Sequence, residues 1–173
     1  SSGASRAAAA WWSACPSVQR IRPLPHAATR SGMATERLFL ADDAATTALG
    51  AALARDLRAG DLVLLEGGLG AGKTALARAL IRTLLDDPLL DVPSPSFALV
   101  QPYEGTGHLV LHADLYRIRD PREVDELGLF DRPEAIVLVE WPERDHDLLS
   151  RPAIRIALTV PADGHGRVAE ITR

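Results

Sequence analysis

Asp61-Leu-Val-Leu-Leu-Glu66-Gly67-Gly68-Leu69-Gly70-Ala71-Gly72-Lys73-Thr74 is the stretch on which the fold turns. Its first part is an apolar run of buried-strand length, its second a glycine-rich loop, and the Ala/Leu-rich residues that follow read as a helix over Thr74–Leu85. Gly67-x4-Gly72-Lys73-Thr74 fits the phosphate-binding loop at every required position, and strand, loop, helix is the context that such a match needs. Glycine lets the backbone curl so that successive N–H groups converge on phosphate oxygens, and the helix adds its positive dipole end. Nucleotide binding is therefore expected on Gly68, Leu69, Gly70, Ala71, Gly72, Lys73, Thr74 and Ala75. Lys73 would reach the β- and γ-phosphates and the Thr74 hydroxyl would ligate Mg²⁺. Lys73 is also the only lysine among 19 basic residues. Coding bias alone accounts for the arginines, but a compact ammonium on a flexible stem does here what a planar guanidinium does badly.

Working outward, Arg37–Ala41 reads as a short strand. Asp42 or Asp43 then caps a helix in which Leu49, Leu53 and Leu57 recur every four residues, up to Gly60. Downstream, Phe97–Tyr103, Leu109–Leu115, Ala135–Glu140, Ile154–Val160 and Arg167–Thr172 read as strands and Arg122–Leu127 as a short helix. The alternation predicts an α/β protein with the P-loop NTPase fold: a mostly parallel central sheet, helices on both faces and antiparallel edge strands. A chain of 173 residues, 47% hydrophobic but only 5% aromatic, supports one core built mainly from Leu, Val, Ile and Ala. One domain is expected over residues 33–173.

Residues 1–32 carry no lasting periodicity and are expected to be a disordered extension outside the fold. A targeting peptide, a functional arm, or translation upstream of a start at Met33, the only methionine, would each explain them, and the last is preferred. No acidic residue precedes Glu36, whereas Arg6, Arg20, Arg22 and Arg30 do. Removing those four arginines from the formal charge of −4 leaves −8 for the remainder, which argues against nucleic-acid binding by bulk electrostatics. The single cysteine, Cys15, cannot form an internal disulfide, and no apolar run has membrane-spanning length, so a cytoplasmic protein without a membrane association is expected.

A phosphate-binding loop needs a carboxylate at the end of a neighbouring strand. Glu140 ends the apolar run Ile136-Val-Leu-Val139, and Asp114 ends Leu109-Val-Leu-His-Ala113. Either could be a solvated strand end; as a pair they are expected to serve catalysis with Lys73 and to hold metal with Thr74. In Pro93-Ser-Pro-Ser96-Phe97 the prolines set the shape of a loop, and Ser94 and Ser96 offer hydroxyls where a switch-like loop would sense the γ-phosphate. The chain has no asparagine, so the Asn-Lys-x-Asp motif that reads guanine cannot exist, and no Leu-Ser-Gly-Gly-Gln signature of transporter ATPases occurs. Arg117, Arg119 and Arg122 form too small a group for an adenylate-kinase-type lid.

Gly-Gly-Leu-Gly-Ala-Gly-Lys-Thr (67–74), Ser-Pro-Ser-Phe (94–97), His-Ala-Asp-Leu-Tyr-Arg (112–117), Glu-Leu-Gly-Leu (126–129) and Val-Glu-Trp-Pro-Glu-Arg (139–144) together resemble the bacterial TsaE family, in the same order and spacing from about Glu36 onward. The resemblance implies the ATPase of tRNA threonylcarbamoyladenosine biosynthesis, working with the proteins TsaB and TsaD and touching tRNA only through that complex. It implies ATP and Mg²⁺ as cofactors, phosphate binding on Gly70, Gly72, Lys73 and Thr74, and metal and water handling on Asp114 and Glu140. Trp141 would face the nucleotide, a partner, or the interior. Gly68 replaces the family's usual Asp and Ser96 its usual Thr. With no evident arginine finger in the chain, slow intrinsic hydrolysis stimulated by partners is expected. A small-molecule kinase and a nucleotide-gated binding module are the competing readings.

Overall fold

The computed structural model describes residues 8–22 and 33–173. Eight strands form one sheet: β1 (Val18–Arg20), β2 (Thr35–Leu40), β3 (Leu62–Glu66), β4 (Val100–Gly105), β5 (His108–Asp114), β6 (Ile136–Glu140), β7 (Ile154–Thr159) and β8 (Arg167–Thr172). Their spatial order is β1-β2-β8-β7-β3-β6-β5-β4. Four α-helices among the described residues accompany them: α1 (Asp43–Asp56), α2 (Lys73–Leu84), α3 (Arg122–Asp125) and α4 (His146–Ser150).

Parallel pairing is confined to the centre, β7-β3-β6-β5. The expected mostly parallel sheet is thus antiparallel on both flanks, with β4 on one side and β8, β2 and β1 on the other. Short connections explain two of these pairings, β4–β5 and β7–β8, because a parallel return needs a crossover of a dozen or more residues. Thr106 and Gly107 join β4 to β5 with φ of 49° and 79°, the left-handed pair that a two-residue hairpin turn demands.

The Asp42 side chain caps α1 by accepting from the Ala45 N–H at 2.9 Å. The helix ends at Asp56, not at Gly60, because Leu57 is already extended and Arg58–Asp61 forms a turn. α1 and α2 pack together on one face of the sheet, close enough that a Cβ on Gly50 would lie 2.4 Å from that of Ala79. Alternate residues of β3 divide between two cores: Val63 and Leu65 join Leu49, Leu53, Leu76 and Leu80 beneath these helices. Leu62 and Leu64 join Leu115, Ile118, Val124, Leu129 and Leu148 on the other face. Among the described residues that second face carries only the short α-helices α3 and α4, so the expected helices on both faces are unequal in size.

The segment before Met33 needs correction where it is described. Residues Ala8–Ala14 form a 3₁₀ helix and β1 pairs antiparallel with β2, with Val18 opposite Leu40. Val18 is buried, and Trp11, Trp12 and Cys15 pack against the α1–α2 core. Residues 1–7 and 23–32, also expected outside the fold, lie outside the described residues. No helix among the described residues is long and apolar enough to cross a membrane.

Candidate functional site

β3 delivers the chain to the sheet's carboxyl edge, where residues 67–72 curl before α2 begins at Lys73. Gly70 and Gly72 have φ of 74° and 102°, a region that side-chain-bearing residues rarely enter, and a Cβ on either would project into open space. Gly67 differs: with φ of 145°, its Cβ would meet the Leu158 carbonyl oxygen at 2.5 Å, so this residue lets β7 pass beneath the loop.

Lys73 is 5% exposed. Its Nζ donates to the carbonyls of Gly67 (2.6 Å) and Gly68 (2.7 Å) and lies 4.1 Å from the centre of the Trp141 ring. Burial lowers its pKa below the usual 10.5, opposed by the charges of Glu140, then Glu143 and Asp114. Trp141 holds this position from a left-handed backbone (φ 59°, ψ 47°), while its N–H donates to Leu65 O and its ring packs on Tyr116 at 4.9 Å.

Parallel pairing of β5 with β6 sets Asp114 beside Glu140. Glu140 is buried, with Thr74 Oγ1 donating to its Oε1 at 2.8 Å and His112 Nε2 2.7 Å from its Oε2. Asp114 is also buried; its Oδ2 accepts from Ser94 Oγ at 2.5 Å and Ser96 Oγ at 3.5 Å, its Oδ1 from the Tyr116 N–H at 2.9 Å. The Pro93–Phe97 loop is therefore tied to the carboxylate at the end of β5. The expected strand Phe97–Tyr103 starts only at Val100, since Leu99 turns left-handed (φ 66°) and its N–H returns to Pro95 O.

Most of these groups border one cleft of 370 Å³, lined by Leu69, Gly70, Gly72, Lys73, Thr74, Ala75, Ser94, Ser96, Asp114, Tyr116, Glu140 and Trp141; His112 lies behind it, fully buried. Of the expected loop residues, Gly68 and Ala71 do not line it; Ala71 is buried and packs into the core. A larger cavity, 540 Å³, runs between α1 and α2 and shares only Ala75 with the cleft. Two of its arginines, Arg78 and Arg82, turn their Nε–H groups to the carbonyls of Val92 and Leu90.

Sequence reasoning missed two residues. His112 reaches Glu140 from within the sheet. Arg167, on β8, donates from Nε to Ala71 O and from Nη2 to Gly70 O, each at 3.1 Å, bracing the loop from behind. Its motif-free setting in an antiparallel strand offered no signal.

Thr74, Glu140 and Asp114 present only oxygen atoms, the donor set of a hard cation such as Mg²⁺. Among the described residues no three Asp, Glu, His or Cys side chains converge as a metal cage.

The family model described as threonylcarbamoyl adenosine biosynthesis protein TsaE matches residues 40–168. Two proteins named tRNA threonylcarbamoyladenosine biosynthesis protein TsaE are similar over most of the chain. That of Rickettsia felis is 37% identical over 124 residues, 71% of this chain and 72% of its own. That of Nostoc sp. is 39% identical over 145 residues, 79% and 85% of the two chains. The crystal structure of Bacillus subtilis YdiB superposes with a TM-score of 0.64 at 23% identity, covering 82% of this chain and 86% of that one, a likeness of fold. With its α/β fold, its loop around Lys73 and these relatives, the chain belongs to the TsaE family of tRNA threonylcarbamoyladenosine biosynthesis.

Proposed function

We propose that the chain binds ATP with Mg²⁺ in the cleft around Lys73 and hydrolyses it in support of a threonylcarbamoyl-transfer complex containing TsaB and TsaD. The observation that carries this reading is the union, at one end of β3, β5 and β6, of an open glycine loop, the Lys73 ammonium, the Thr74–Glu140 pair and Asp114.

Phosphates fit the loop because its N–H groups and the α2 N-terminus form a positive concavity. Lys73 would swing from the Gly67 and Gly68 carbonyls to the β- and γ-phosphate oxygens, concentrating positive charge where negative charge develops. Thr74, with Glu140 behind it, would hold Mg²⁺, which supplies charge to the same phosphate oxygens when bound. Asp114 would orient the attacking water, since its carboxylate is held by Ser94, Ser96 and the Tyr116 N–H. Water adds to the γ-phosphorus in line, the bond from that phosphorus to the β–γ bridging oxygen breaks, and ADP, phosphate and a proton leave. No arginine among the cleft-lining residues supplies further charge. Groups of that kind change rates by roughly 10³–10⁵ in other P-loop enzymes, so a stimulating partner is part of the reading.

ATP hydrolysis by the full chain, wild type and Lys73→Ala, alone and with purified TsaB and TsaD, tests it. Slow hydrolysis that requires Lys73 and rises with the partners is expected. Nucleotide binding with no response to the partners would refute the assigned role, and a phosphorylated metabolite in place of free phosphate would make the protein a kinase.

A further inference from the structure

His112 is fully buried within β5, where it pairs with Leu138 of β6, two residues before the Asp114–Glu140 pair that lines the cleft. It shares a sheet face with Asp114, two residues on, and reaches across to β6, where its Nε2 lies 2.7 Å from Glu140 Oε2. Glu140 Oε1 is engaged by Thr74, so the carboxylate is held at both oxygens, from the cleft side and from the interior. The other ring nitrogen, Nδ1, is buried and has no hydrogen-bond partner among the described residues.

A carboxylate accepts, so the ring nitrogen that faces it must donate. A proton on Nδ1 would instead leave a buried donor unsatisfied, a desolvation cost that the Nε2–H tautomer avoids. A histidine used only to fill the core would not need to meet an acid at hydrogen-bond distance. Leucine occupies much of this layer, at Leu76, Leu80 and Leu138 among others.

We infer that His112, as its Nε2–H tautomer, is a positioning residue: it anchors Glu140 Oε2 so that Oε1 stays directed at Thr74 and the metal position when Thr74 turns its hydroxyl oxygen toward Mg²⁺. The inference rests on the proposed nucleotide reading. Without His112 the Glu140 carboxylate keeps its buried setting but loses the contact that fixes its rotation, and orienting partners of this kind are typically worth about 10- to 100-fold in metal affinity or activity.

The experiment measures ADP binding to the full chain by calorimetry across a Mg²⁺ titration, for wild type, His112→Leu and His112→Gln. Leucine fills space without donating, whereas the glutamine amide can donate to Glu140. His112→Leu is expected to raise the Mg²⁺ concentration for half-maximal enhancement of binding by about 10- to 100-fold. Mg²⁺-free ADP binding should stay close to wild type, and His112→Gln should recover most of the loss. Equal Mg²⁺ dependence in wild type and His112→Leu would overturn the inference, as would an equal loss of binding with and without Mg²⁺. If wild type shows no Mg²⁺-dependent ADP binding, the nucleotide reading itself fails and takes the role of His112 with it. Long-range ¹H–¹⁵N correlation spectra of the wild-type imidazoles test the same point where the leucine variant does not fold, and an Nδ1–H tautomer at His112 would refute it.

Discussion

Lys73 combines two properties that seldom coincide in one side chain: it is the sole lysine of the chain, and it is buried at the mouth of the candidate site. Desolvation lowers its pKa from 10.5 against the pull of Glu140, Glu143 and Asp114. Between the folded-state value and 10.5 the unfolded chain binds more protons than the folded one, so this group's contribution to stability rises with pH there, and its penalty is complete below the folded-state value. Reductive methylation with ¹³C-formaldehyde would label Lys73 and the α-amino group alone. Its NMR titration midpoint is expected to be lower in the folded chain than in the same chain unfolded in urea, and to rise when ATP brings its phosphates alongside. A midpoint equal to that of the unfolded chain would mean that Nζ is hydrated, and a higher one that Glu140, Glu143 and Asp114 outweigh its desolvation.

At the scale of elements, the phosphate loop is shaped from two directions. β3 and α2 set its ends, and Arg167 on β8 donates to the Gly70 and Ala71 carbonyls from outside the cleft, fixing the loop between those ends. Arg167→Gln is predicted to weaken ATP binding about tenfold and to lower the melting temperature by a few degrees. Hydrogen bonds from a charged donor are worth about 1.5–3 kcal/mol, and 1.4 kcal/mol is a tenfold change in affinity. Calorimetry and thermal denaturation on the same samples would separate the two effects, and an unchanged Kd would show that the loop keeps its shape unaided. The strand, loop and helix around Lys73 were legible because their pattern is local: an apolar run, glycines at set intervals, then helix formers. Asp114 and Glu140 could be read for the same reason, each closing an apolar strand. Arg167 lies in no motif and His112 in one that gives it no role, because their partners lie 97 and 28 residues away and only pairing of the strands brings them close. Pairing direction is equally hidden, since the alternation of β8 is the same whether its neighbour runs parallel or antiparallel.

Across the whole molecule, chemistry and support are segregated. The parallel centre of the sheet ends its strands at the cleft, as open α/β sheets do, and the antiparallel flanks widen the surface on which α1 and α2 lie. β1 extends one of those flanks with three residues and no periodicity to announce it, which is why it escapes a reading by pattern. Its value lies in what it covers. Through Val18–Arg20, with the Ala41 N–H meeting Ser17 O and the Ile21 N–H meeting Arg37 O, it occupies the backbone groups along the outer side of β2. A chain shortened to begin at Met33 would leave that row bare beside Trp-sized gaps over Leu49 and Leu53. Exposed edges of this kind recruit one another. Sedimentation velocity should therefore find the full chain at constant mass over a wide concentration range and the shortened one growing heavier as it is concentrated, whereas a strictly monomeric short form would mean that β2 tolerates an open flank. The fifteen described residues before Met33 would then act, with respect to colloidal behaviour, as an internal chaperone: a stretch without catalytic groups that decides whether the protein meets its partners or itself.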